Sequence, residues 1–214
     1  MLQQGTDQAP QGSDAWKLQR CGSIGASDAP RVVRRTKSGY SADRESLMAA
    51  KVVERLTGVP VEIFKTQAML QGTAREPDAR MTYSVVKDLE VEEVGLVKHP
   101  LIEGSHASPD GYVGSLGLIE IKAPLPAAHL DTLLNETISG DHIVQMQWQM
   151  ACTGRHWCDY VSFNPDFPPA MQLWIRRVPR DPGFIGDLES EIKQFIRELE
   201  QKVDKLSRRY AVAA

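Results

Sequence analysis

Ser108-Pro109-Asp110-Gly111, carried through Gly114-Ser115-Leu116-Gly117 to Glu120-Ile121-Lys122, is the stretch on which the reading of this chain turns. Residues two apart on a β-strand share a face, so Glu120 and Lys122 point one way and Ile121 points the other way, into the core. The Gly-rich segment before them is a turn sequence, which folds the Asp110 strand back beside the Glu120 strand as a hairpin. Asp110, Glu120 and Lys122 then converge. Two carboxylates and the backbone carbonyl of Ile121 are hard oxygen donors suited to Mg2+, with Mn2+ as a substitute. A cation held there lowers the pKa of a bound water and neutralises charge on a phosphate under in-line attack. Lys122 either orients or deprotonates the water, or stabilises the developing oxyanion. Upstream, Glu76 is the candidate third carboxylate, positioning a second metal or its waters. An isolated E-x-K on a strand is usually a solvated face, and Pro-Asp-Gly alone is an ordinary turn; the joint spacing carries the reading.

Outward from this stretch, the periodicity predicts helices before it and a mixture after it. Leu47, Met48, Val52, Val53 and Leu56 repeat at helical spacing, predicting a helix over Ser41–Leu56 with Ser41 as N-cap and Gly58 as the stop. A second helix is expected over Thr73–Val86, with Pro77 in its first turn or kinking it. Short strands are expected at Val91–Val97, Leu101–Ala107, Gly111–Val113 and Leu118–Ala123. Asp141 is expected to cap a helix to Thr153, followed by strands at Trp157–Phe163 and Met171–Val178. A long helix over Phe184–Arg209 carries one apolar stripe. This order predicts an α/β fold, a central mixed β-sheet flanked by helices.

Composition sets bounds without deciding function. The chain has 214 residues, 42% of them apolar and 25% charged, enough to bury a full core without disulfides. We expect a flexible N-terminus over residues 1–13 and a single domain over 14–214. Three cysteines, Cys21, Cys152 and Cys158, make no framework and suit a reducing compartment. Cys152, His156 and Cys158 are too few and too awkwardly spaced for zinc, and four thiolates for an iron–sulfur cluster are lacking. No apolar run approaches the roughly 20 residues of a membrane span, and the N-terminus lacks an apolar signal core, so a soluble intracellular protein is expected. The net charge of −3 neither favours nor excludes a nucleic-acid partner, because a local basic patch suffices.

Five motifs in order resemble the lambda exonuclease (YqaJ-type viral recombinase) family of the PD-(D/E)xK nuclease superfamily. They are Arg20-Cys21-Gly22-Ser23-Ile24-Gly25-Ala26-Ser27; Gly72 to Arg80, around Glu76; Ser108-Pro109-Asp110-Gly111; Leu118-Ile119-Glu120-Ile121-Lys122-Ala123-Pro124; and Gln145-Met146-Gln147-Trp148-Gln149-Met150. The resemblance implies a restriction-endonuclease-like core with two Mg2+ ions held by Asp110, Glu120, the Ile121 carbonyl and Glu76, and with Lys122 catalytic. It further implies a pocket for a 5′-terminal phosphate made by Arg20, Ser27 and Ser108, with Gln145 reaching the site. A guanidinium fork and two hydroxyls suit such a dianion. Gly25 departs from the Thr often found at that position. Implied for the whole molecule are a homotrimer on double-stranded DNA ends, 5′ to 3′ hydrolysis of one strand leaving a 3′ overhang, a single-strand annealing partner, and the cytoplasm of a bacterial host carrying the phage or prophage.

Further contacts are left open by the residues themselves. Trp16 either stacks on the end base or is core. Met69 and Leu70 either wedge the terminal base pair or are buried between helices. Arg31, Arg34, Arg35 and Lys37 either line the duplex backbone or form a solvated arm. Gln145 and Gln147 either serve the site or make a polar helix face. Two rival functions stand beside the exonuclease: a restriction-type endonuclease on the same fold, and a non-catalytic DNA-end-binding protein.

Overall fold

The structure, a computed structural model, describes residues 9–62, 64 and 66–210. Most of the N-terminal segment expected to be flexible therefore lies outside the described residues; within the rest of it, Gln11 donates to the carbonyls of Val94 and Pro109. The chain runs through α1 (Asp14–Arg20), α2 (Ala29–Val33), a small hairpin of β1 (Arg35–Thr36) and β2 (Gly39–Tyr40), then α3 (Ala42–Thr57) and α4 (Gln67–Lys87). Next come β3 (Val91–Glu92), β4 (Val97–Lys98), β5 (His106–Ala107), β6 (Gly111–Val113) and β7 (Gly117–Lys122). Helices α5 (Pro126–Asn135) and α6 (Gly140–Thr153), strands β8 (Trp157–Phe163) and β9 (Leu173–Pro179), and α7 (Pro182–Tyr210) complete it.

The central sheet has the order β3-β6-β7-β8-β9, with β7 and β8 parallel and the other pairs antiparallel. It is the mixed sheet that the alternation of patterns predicts. Its two faces bury different helices. Leu118, Cys158, Tyr160 and Val178 pack with the helices α2, α3, α6 and α7, whereas Ile119, Ile121, Val161 and Phe163 pack against Ala79 and Tyr83 of α4. The apolar stripe of α7, from Ile185 to Leu199, is buried in the first of these layers. No helix among the described residues is long and apolar enough to cross a membrane.

Several boundaries differ from expectation. The α4 helix begins at Gln67, where the Thr66 hydroxyl accepts from the amide of Met69, so Pro77 sits in its interior rather than its first turn. Packing of Ala79 and Tyr83 on the sheet holds the helix together across the missing amide. The expected Val91–Val97 strand is two short pieces in different sheets, and of Leu101–Ala107 only the last two residues are extended. Ser139, not Asp141, caps α6, accepting from the amide of His142; Asp141 instead pairs with Arg34. Helix α5 was not foreseen, because its start is masked by the Pro-rich run Ala123–Pro126.

Candidate active site

The β6–β7 hairpin is in the register that unites the site. Gly111 pairs with Ile119 and Val113 with Gly117, which puts Asp110 beside Glu120 at the open end of the ladder. There Asp110 Oδ2 accepts from the Ile121 amide at 2.6 Å. Gly111 has a physical reason to follow the aspartate. A Cβ there would lie 2.3 Å from Val91 Cγ1 and 3.2 Å from the Glu92 carbonyl, so any larger residue would push β3 off the hairpin. Glu120 and Lys122 share the face toward α6, with Lys122 Nζ 2.5 Å from Glu120 Oε1. Ile121 turns to the α4 side as the alternation requires, and its side chain is buried. From α6, Gln149 donates to Glu120 Oε2 at 2.5 Å, and Gln145 accepts from Lys122 Nζ at 3.3 Å.

Electrostatics at this corner follow from crowding charge in a poorly solvated place. Burial, then the neighbouring Glu120 carboxylate, push the Asp110 carboxyl well above the usual carboxylate range, with Lys122 pulling the other way. Burial alone would lower Lys122, but Glu120 and Asp110 outweigh it and hold the ammonium charged. Glu76, on the sheet-facing side of α4, is close enough for its charge to be felt at Asp110 and lines the same cleft as Lys122 and Met69. Even so, no three His, Cys, Asp or Glu side chains among the described residues are grouped to hold a metal ion. The fit to a cation therefore rests on the Asp110–Glu120 pair with the Ile121 carbonyl. That donor set is hard oxygen throughout, and mutual repulsion of its acids is what a dication relieves.

A second cluster lies at the start of the fold. Arg20 Nη2 donates weakly to Ser27 Oγ at 3.4 Å, and the guanidinium rests on the Trp16 ring, 4.1 Å from its centroid. The Ser108 hydroxyl, two residues before Asp110, is buried without a hydrogen-bond partner among the described residues. Ser27, Lys51, His142 and Gln145 line one cleft of about 660 Å3, while Glu76, Lys122 and His142 line a neighbouring one of about 650 Å3. His142 stands in both walls, so the cleft beside Ser27 adjoins the one beside Lys122.

Residues 15–156 match the model of the YqaJ-like viral recombinase domain. The chain belongs to the YqaJ-like viral recombinase family. This YqaJ-like chain is similar to the crystal structure of an alkaline exonuclease, LHK-Exo, from Laribacter hongkongensis, with 42% identity and a TM-score of 0.88 over 94% of this chain and all of that one. It is equally similar to LHK-Exo in complex with dAMP, at 41% identity and a TM-score of 0.87 over the same shares. A phage related exonuclease from Haemophilus somnus 129PT shares the fold at 13% identity, with a TM-score of 0.73 over 86% of this chain and 96% of that one. No curated protein matches the sequence.

Elsewhere in this YqaJ-like domain, the other candidates have varied surroundings. Arg34 is paired with Asp43 and Asp141, and Arg35 with Glu191 of α7 at 2.7 Å, so much of the basic run ties elements together. Arg31 donates to the Asp43 carbonyl, and Lys37 is exposed in the turn between β1 and β2. Met69 and Leu70 are half exposed rather than buried between helices. Gln147 is no polar face: it is buried, donating to the Pro179 carbonyl and accepting from the Asp181 amide. Two site neighbours went unassigned in the sequence, Gln149 and His142. Gln149 was discoverable, since it lies four residues after Gln145 and so on the same helix face. His142, stacked on Tyr160, carried no such signal.

Proposed function

We propose that this chain is a divalent-cation-dependent exonuclease acting on linear double-stranded DNA in phage-type recombination. The observation that carries the reading is the convergence of Asp110, Glu120 and Lys122 at one end of the β6–β7 hairpin, beside the cleft that Ser27 lines. Family membership and 42% identity to an alkaline exonuclease along the whole of that chain support it. Asp110, Glu120 and the Ile121 carbonyl hold Mg2+, with Glu76 serving a second ion or its waters. Bound cations supply an activated water and neutralise charge at the phosphate.

The residues of the chain do the rest. Lys122, kept charged by its carboxylate neighbours, stabilises charge developing on the phosphate oxygens; that role matches its protonation state better than proton abstraction does. Arg20, Ser27 and Ser108 bind the 5′-terminal phosphate, which sets polarity by fixing which bond meets the hairpin. Water attacks phosphorus and the 3′ oxygen of the terminal nucleotide leaves, so a 5′-phosphomononucleotide departs and a new 5′-phosphate remains for the next turn. The dAMP in the LHK-Exo complex is a mononucleotide of that kind. Trp16, Met69 and Lys37 contact the end or the duplex backbone, while Arg35 keeps its ion pair with Glu191. The active form is a homotrimer on the DNA end, working beside a single-strand annealing protein in the host cytoplasm. Exposed Met81, Val85 and Val86 on α4 support a protein-covered face.

Digesting linear duplexes labelled at either end, with Mg2+ or EDTA, tests this. The 5′ label is expected to leave first, as a mononucleotide, only with the cation, while a supercoiled circle stays intact. Lys122→Ala is expected to slow release by about 10^3-fold or more, on the scale of losing a transition-state donor, while still binding ends. An opened circle would instead indicate the endonuclease, and no cation-dependent release would leave a binding protein.

A further inference from the structure

His106 has no part in the machinery above, yet it is only 2% exposed. Its ring is held in one tautomer. Nδ1 lies 2.9 Å from Ser23 Oγ, and that hydroxyl donates its single proton to the Arg20 carbonyl at 2.9 Å. With its proton spent, the hydroxyl can only accept from the ring. Nδ1 therefore carries the hydrogen, and Nε2 presents a bare lone pair that is buried without a partner among the described residues.

That lone pair and the Arg20 guanidinium converge on the same place. A Cβ on Gly25 would lie 3.0 Å from His106 Nε2 and 3.1 Å from Arg20 Nη2. The glycine thus leaves room for an acceptor and a donor to approach. Burial, then the positive charges of Arg20 and Lys51, push the ring's pKa down to about 3, so it stays a neutral acceptor at any working pH. Arg20 is held from beneath by Trp16. Stacking restricts the guanidinium to its own plane but leaves it free to turn within that plane.

We infer that His106 is the positioning residue of the 5′-phosphate pocket: its Nε2 accepts one Arg20 N–H when phosphate is bound, aiming the rest of the fork at the phosphate oxygens. Among the described residues the Arg20 side chain makes one hydrogen bond, its long contact to Ser27, and Nε2 has no partner. Phosphate drawing the fork off Ser27 lets both acceptors be used at once, since a guanidinium has five N–H groups. The inference rests on the reading of Arg20, Ser27 and Ser108 as that pocket.

The test compares 5′-phosphorylated with 5′-hydroxyl linear duplexes, by kcat/KM with Mg2+ and by end binding in EDTA, together with Tm. His106→Phe keeps the ring and loses the acceptor; it is expected to lower the phosphate preference by about 10-fold, the worth of one well-placed hydrogen bond to a charged group. His106→Gln, whose Oε1 can stand where Nε2 stands, is expected to restore most of that preference. Gly25→Ala removes no polar group but forces His106 and Arg20 apart by a few tenths of an ångström, and is expected to lower the preference as well. If Arg20→Ala lowers the preference while His106→Phe and Gly25→Ala leave it unchanged, the inference is overturned and the pocket stands. Should Arg20→Ala itself leave it unchanged, the pocket reading fails. If His106→Phe does not fold, the Gly25→Ala and His106→Gln results decide; equal loss of preference and Tm in Phe and Gln variants makes the ring merely structural.

Discussion

Gln149 decides how Glu120 presents its carboxylate. One oxygen of Glu120 takes the Gln149 amide and the other takes Lys122, so a nearly buried acid is held in a single orientation. Partners of this kind orient a ligand that the sheet alone would leave free to rotate about its side-chain torsions. Gln149→Ala is expected to cut kcat by about 10–100-fold and to weaken divalent-cation affinity by a similar factor. Cleavage rates and a cation titration on the same preparation check it; full affinity with lost turnover would assign Gln149 a role in chemistry rather than orientation. At the same scale, Gln145 and Gln149 could be placed on one face from sequence, but which side chain each would meet depended on the parallel pairing of β7 with β8 and the seating of α6 across it.

At the scale of elements, a polar anchor within an apolar layer ties α4 to the sheet. Tyr83 donates its hydroxyl to Asp159 Oδ2 at 2.7 Å, and Asp159, 1% exposed, also takes a bidentate pair from Arg177 at 2.8 and 2.9 Å. Burial, then the bond to Asp159, raise the Tyr83 phenol well above its ordinary value, which keeps it a donor. The arrangement ties α4, and so Glu76, to β8 and β9. Tyr83→Phe keeps the ring and leaves a buried carboxylate oxygen short of one donor, an expected cost of about 1–2 kcal/mol. Urea unfolding measures it, with the midpoint falling and the slope unchanged. The helix itself was legible from Ala79, Tyr83 and Val86, but its true start was not: Gly72 and Pro77 both argue locally against a helix, and packing overrides them.

For the whole molecule, buried neutral histidines couple the fold to pH. Burial is the first cause lowering His99, His106 and His142, and none carries charge in the folded protein near neutrality. For His106, with a folded value of about 3 against an unfolded value near 6.5, the unfolded chain binds a proton between those limits that the folded chain refuses. The stability it contributes is complete above the unfolded value and is lost as pH falls toward the folded one. From pH 7 to pH 5 this is a loss of about 2 kcal/mol for His106 alone. Unfolding free energies of wild type and His106→Gln at both pH values check it: the wild type is expected to lose more by about that amount, and parallel losses would contradict a neutral His106.

The sequence by itself determined the mixed sheet with its flanking helices, the β6–β7 hairpin and the common face of Glu120 and Lys122, because these follow from periods of two and 3.6 and from turn chemistry between near neighbours. Only the tertiary structure decided that Gln149 orients Glu120, that Arg35 pairs with Glu191, and that His106 and Arg20 both border Gly25. Those contacts join residues far apart in the chain, and no local pattern encodes which buried acceptor will face which donor once the layers close.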